Sequence, residues 1–364
     1  MKNLLIGNGI NIQFGDNEYC NENIIRRAIG NLENNNYNPE LYPFEVGNWL
    51  KLLHKEYPNL LDGLYDKLFF TSDVEEALKS FKERYKHRGK YLTIDEIGFE
   101  DYFIIHEILC RSEMKYFEKR FKNQDNLRRL FLDSIYNSGK IQNIYKKFPV
   151  KFKSYVENYS SIFTTNYDRN IEIFTKKTVF YLHGAFHVLD EVYNQNSLRN
   201  QLSDAPVKKT PVIKGHEYLF SNALITGYSK LHNITINSKA NVALSKANDA
   251  HKKNEFKFES LSKSDVVFLR NLSEVIKLQS ENPSLSINEY YPIKEFKKIK
   301  GTIDIIGLSP NNDNHLFETI NSNSDLQSVR FYYYDIDDID FVKKAFSNLK
   351  VEFIDIRNLW KKIS

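Results

Sequence analysis

The chain has 364 residues, 41% of them hydrophobic and 27% charged, enough for one large or two modest domains with an ample core. Two cysteines, Cys20 and Cys110, exclude a disulfide framework and a four-cysteine zinc site. A net charge of +4, with basic residues interspersed among acidic ones, neither demands nor excludes nucleic acid.

The first apolar run, Leu4-Leu5-Ile6, is short and meets Gly7-Asn8-Gly9-Ile10-Asn11. A strand feeding a glycine-rich turn is how a nucleotide-binding βα unit opens, because glycines let backbone approach a pyrophosphate. The third glycine of the dinucleotide fingerprint is missing, and no acidic residue follows about twenty residues on. Hydride-transfer dehydrogenases are therefore not the pattern, and a plain tight turn reads as well. Neither a signal peptide nor a membrane span is expected, which makes a cytoplasmic location the default.

Residues 23–157 read as mostly helical. Trp49, Leu52, Leu53, Leu60 and Leu61 keep helical spacing, with a break expected at Pro58. Ser72–Glu75 and Thr93–Glu96 are capping-box starts, the first for a helix over Val74–His87. Phe117 to Ile135 carries a further amphipathic helix. His54, His87 and His106 lack partners at ligand spacing and read as solvated or core histidines.

Ser161–Phe186 carries the densest chemistry. Two β-prone runs, Ile162–Thr165 and Val179–Leu182, flank a helix-length segment, Arg169–Lys176. Strand, helix, strand is the parallel crossover unit. The first run ends in Asn166 and Asp168, the second in His183-Gly184, so these side chains would share one sheet edge. Each turn alone is also what ordinary polar turns look like.

Beyond Phe186, residues 189–209 read as a polar excursion, Pro211-Val212-Ile213 as a short β-like piece and Ala223–Gly227 as another strand-then-glycine. Residues 232–262 are polar, and Asp265–Gln279 is helical in pattern. From Thr302 the order is strand, helix (312–320), strand (329–334), helix (339–349), strand (351–356), the α/β signature. Gly307-Leu308-Ser309 ends the first of these strands, and Asp313 and His315 follow at once. The expected fold is α/β, a Rossmann-like and mostly parallel sheet flanked by helices. It forms one domain with a large helical insertion at 23–157 and a variable one at 185–300.

Gly7-Asn8-Gly9-Ile10-Asn11, Thr164-Thr165-Asn166-Tyr167-Asp168, His183-Gly184 and Gly307-Leu308-Ser309 occur in the order of the sirtuin family. The chain resembles a divergent bacterial sirtuin-like domain. Its first block is similar to Gly-Ala-Gly-Ile-Ser, its second to Thr-Gln-Asn-Ile-Asp, its third to the catalytic His-Gly and its fourth to the late Gly-Thr-Ser turn. The segments Leu4–Gly9 and Gly307–Phe317 are also similar to the abortive-infection AbiH group. No cysteine follows His183, so the family's zinc ribbon is missing and protein deacylation is in doubt.

The resemblance implies an NAD⁺ glycohydrolase of anti-phage defence, with NAD⁺ as substrate and no metal. It makes Asn166 and His183 the cleavage pair, with Asp168 on the nicotinamide carboxamide. Gly7, Gly9 and Asn11 would take the pyrophosphate and neighbouring ribose, Asn8 and Thr165 would also belong to the cofactor site, and Gly307 and Ser309 would take the adenine-side ribose. An effector without a visible sensor implies a homo-oligomer, a sensor partner protein or a small-molecule trigger. Alternatives are an NAD⁺- or ADP-ribose-binding regulatory module without turnover, and deacylase or ADP-ribosyltransferase chemistry. No basic patch interleaved with aromatics argues for a nucleic-acid partner.

Overall fold

The computed structural model describes residues 1–33, 37–68, 72–203, 210–224, 249, 253, 258–265, 267–285, 291–309 and 313–363. Six strands form one all-parallel sheet: β1 (Lys2–Ile6), β2 (Ser161–Thr164), β3 (Phe180–Tyr181), β4 (Gly301–Ile306), β5 (Leu326–Tyr333) and β6 (Lys350–Asp355). Their order is 3-2-1-4-5-6, so the chain reverses direction across the sheet between β1 and β4. This is the doubly wound, Rossmann-like α/β arrangement.

Side-chain alternation splits the core into two layers. Leu4, Ile6 and Ile162 pack on one face against the helices between β1 and β2 and against Ile356, Leu359 and Ile363 of the last helix (Ile356–Ile363). Leu5, Phe163, Ile303 and Ile305 pack on the other, against Phe296, Leu316, Phe317 and Val342. Burial on both faces explains why β1 and β2 read as apolar runs, and β4 as one broken by Asp304 alone.

Between β1 and β2 the described chain is helical, with long helices at Asn21–Glu33, Glu45–Leu61, Ser72–Tyr85, Asp101–Ser112 and Arg120–Tyr136. The break expected at Pro58 does not occur: the helix runs through it and ends at Leu61. Proline in the last turn removes only one N–H bond, and Tyr57 and Leu60 bury fully on the core side. At Thr93–Glu96 the capping contact forms, with the Thr93 amide donating to Glu96 Oε2 at 2.7 Å, yet the helix begins only at Asp101. Pro211–Ile213 is not a strand, and the excursion after Phe186 is anchored by buried Tyr193, Leu198 and Leu202. Of the Ala223–Gly227 expectation, Ala223 and Leu224 are buried in a turn, and residues 225–227 lie outside the described residues, as does most of 232–262. Among the described residues no helix is long and apolar enough to cross a membrane.

One buried charge interrupts the central strands. Asp304 of β4 is fully buried and accepts two bonds from Arg330 of β5, at 2.7 and 2.5 Å, plus the Tyr159 hydroxyl. Removing one partner of a buried pair leaves the other uncompensated. Arg330 keeps 31% of its side chain exposed, which softens that cost. Asp304→Ala is expected to destabilise the fold by about 3 kcal/mol, at the lower end for buried pairs. Urea unfolding followed by circular dichroism measures it, and an unchanged midpoint would show the network to be energetically neutral.

Candidate functional site

The register aligns Ile6 with Thr164 and with Ile306, and Thr164 with Tyr181. Four strand ends therefore stand level, and the turns leaving them meet over one crevice of about 1110 Å³. Asn8, Gly9, Asn11, Thr165, Asn166, His183, Gly307 and Ser309 all line it. Gly7 and Asp168 do not; they stand behind the wall. Glu76, Arg84 and Glu100 of the helical insertion also line the crevice.

The floor is glycine against glycine. The Gly7 amide donates to Ile306 O at 2.8 Å and the Gly9 amide to Gly307 O at 2.9 Å. Gly307 has φ +70°, and a Cβ there would lie 2.9 Å from Gly9 Cα. These glycines thus close the β1 and β4 turns on one another. Their amides are already engaged, so any phosphate contact by Gly7 or Gly9 cannot use these N–H groups as they stand.

Asn166 is pinned just after β2. Its backbone amide donates to Thr164 Oγ1 at 3.0 Å, and Nδ2 donates to Gly7 O at 3.2 Å. One N–H of the carboxamide is thereby fixed, which orients the rest of the group. Asp168 accepts from the Asn170 amide at 2.9 Å and from Asn11 Nδ2 at 2.7 Å. Burial raises its carboxyl above the usual range, against the pull of these donors. Its geometry is that of a positioning residue: it sets the Asn11 rotamer. Asn11 is buried, and its Oδ1 has no partner among the described residues, an acceptor suited to a ligand hydroxyl.

His183 leaves β3 and meets residues of the β4 turn. Its Nε2 lies 3.0 Å from His315 Nε2 and 3.8 Å from Asp313 Oδ1, with the two rings stacked. Burial pushes His183 down to about 4, so it is neutral at pH 7, and pushes Asp313 up to about 7. Glu100 is raised to about 8, first by burial and then by the Asp313 charge. Asp313 and His315 were visible in sequence as a polar cluster; Glu100 gave no signal there, being one acid among many.

The His183 turn is braced from far away. Gly184 has φ +83°, and a Cβ would collide with the Asn222 carbonyl. Asn222 Oδ1 accepts from the Ala185 amide at 2.8 Å. The segment around Asn222 is held in turn by buried Arg128, which donates to the carbonyls of Leu219, Ser221 and Ala223. Neither Arg128 nor Asn222 is legible in sequence, since each matters only through contacts about 40 to 95 residues away. Arg128→Ala leaves three buried carbonyls unpaired and is expected to cost about 3 kcal/mol. Thermal melting checks it, and a loss below about 1 kcal/mol would mean that water replaces the guanidinium.

Of the three histidines read from sequence as solvated or core, His106 is buried, His54 is half-buried and His87 is exposed. His106 accepts from Trp49 Nε1 at 3.1 Å, and His54 Nε2 lies 2.9 Å from Leu92 O.

No family model, curated protein or solved structure matches the chain.

Proposed function

We propose that the chain binds NAD⁺ in the crevice over β1 and β4 and hydrolyses its nicotinamide–ribose bond. The observation that carries this reading is the convergence of the β1, β2, β3 and β4 turns where the strand order reverses. Doubly wound sheets take dinucleotides at that point. The crevice volume suits a ligand of that size, and Asn11 Oδ1 offers an unused acceptor for a ribose hydroxyl.

Nicotinamide leaves neutral from a cation, so the protein must mainly hold the ribose, stabilise its developing positive charge and present water. The bond from ribose C1′ to the ring nitrogen breaks, and its electron pair stays with nicotinamide. A water oxygen bonds C1′ and loses a proton. Asn166 orients the ribose or the water. His183, with His315 and Asp313 beside it, is assigned to the water's proton. Asp168 acts through Asn11. The motif order adds anti-phage defence as the setting, triggered by assembly, a partner or a small molecule.

The test is incubation of the purified protein with NAD⁺ and chromatographic measurement of nicotinamide and ADP-ribose. Release of both is expected. Saturable binding without release would favour a regulatory module, and neither binding nor release would overturn the reading.

A further inference from the structure

We infer that His183, Asp313 and His315 form a site for a divalent transition-metal ion of the zinc class on the crevice wall. Each offers one ligand atom, and the three atoms lie within 4.8 Å of one another. The His183–His315 and His183–Asp313 separations are 3.0 and 3.8 Å. Ligands about 2.1 Å from a tetrahedral zinc stand about 3.4 Å apart, between these two values. Two imidazoles and one carboxylate are a known donor set for such ions, with a fourth position left for water.

Asp313 supplies the second observation. It occupies the N-cap position of the helix Asn314–Asn321, yet its side chain makes no capping bond. Its carboxylate has no hydrogen bond among the described residues, and the one ionisable partner within ion-pair range among them is His183, which is neutral at pH 7. Only 13% of the Asp313 side chain is exposed, and a largely buried carboxylate without donors is costly unless a cation meets it. Glu100 lines the same crevice and feels the Asp313 charge, so acidic groups accumulate there without a paired base at Asp313. Two imidazole nitrogens and one carboxylate oxygen within 4.8 Å of one another are close enough to share one ion. A bound ion satisfies all three groups at once.

The ligands come from both halves of the sheet, His183 after β3 and the Asp313/His315 pair after β4, so the ion would tie the halves together. In the NAD⁺ reading it would hold and acidify the attacking water, replacing direct proton acceptance by His183, whose Nε2 would then be a ligand. The site itself does not depend on that reading, because metal uptake is measured without dinucleotide and the two can fail separately.

The experiment uses the full chain, stripped with a chelator and titrated with Zn²⁺ by calorimetry, with Co²⁺ absorbance reporting the coordination. One ion per chain is expected. Asp313→Asn and His315→Ala should each weaken uptake more than the roughly 10–100-fold that an outer-shell partner is worth. Far-UV circular dichroism checks folding, and the size-conserving His315→Gln substitutes if His315→Ala does not fold. No saturable uptake by the folded wild type overturns the inference. So does one-per-chain uptake that all of these variants leave intact.

Discussion

Asn166→Ala is expected to lower nicotinamide release from NAD⁺ at least about a hundredfold, the scale on which lost positioning costs rate. The fold should barely notice. The side chain makes one long bond, Nδ2 to Gly7 O at 3.2 Å, worth about 1 kcal/mol. Asn166 nevertheless lines the crevice beside Thr165 and Gly9. If it orients the reacting ribose or the water, kcat falls while KM moves little, because the lost interaction belongs to the transition state. Steady-state kinetics separate the two parameters. A rise in KM at unchanged kcat would make Asn166 a ground-state binding residue only, and unchanged kinetics would remove it from the site.

The second large effect concerns the glycine floor. Gly307 and Gly215 both hold positive φ, +70° and +85°, so alanine strains the backbone at either. At Gly215 nothing lies within 4 Å of the added Cβ. At Gly307 the Cβ meets Gly9 Cα and the Gly9 amide nitrogen, both at 2.9 Å. Gly215→Ala should cost about 1 kcal/mol. Gly307→Ala should cost about 3 kcal/mol or more, because the β1 and β4 turns must separate as well. The parting of these turns also widens the crevice floor, so NAD⁺ binding should fall with stability only at Gly307. Urea midpoints and binding isotherms for the pair test this. Equal shifts would mean that the close approach of the two turns carries no energy.

The sheet was legible because its central strands are buried on both faces. Leu4-Leu5-Ile6 and Ile162–Thr164 are short apolar runs, Ile303–Ile306 is one interrupted by Asp304, and all stop at glycine or polar residues. Eight of the ten residues the motif order singled out line the crevice, since turns leaving parallel strands must emerge on one edge; much of the rest of its wall comes from the helical insertion. What stayed hidden depends on distant contacts. Asp304 reads as a stray acid in an apolar strand until Arg330 and Tyr159 are seen around it. Arg128 and Asn222 look like ordinary polar residues until the brace behind Gly184 is traced. Asp168 shows the limit of a motif: the residue is where the pattern puts it, but both carboxylate oxygens turn inward to Asn11 and Asn170. The metal site was hidden for a similar reason. Absent cysteines disposed of the zinc ribbon, while His183 and His315 are 132 residues apart and lack any ligand spacing.

The most direct measurement is a crystal structure of the chain soaked with ADP-ribose. The expected result is ligand density in the crevice over β1 and β4, with the pyrophosphate against the Gly9–Asn11 turn. The ribose that bore nicotinamide should lie within hydrogen-bond reach of Asn166. Density bound elsewhere on the protein, or a crevice left empty at saturating ligand, would contradict it.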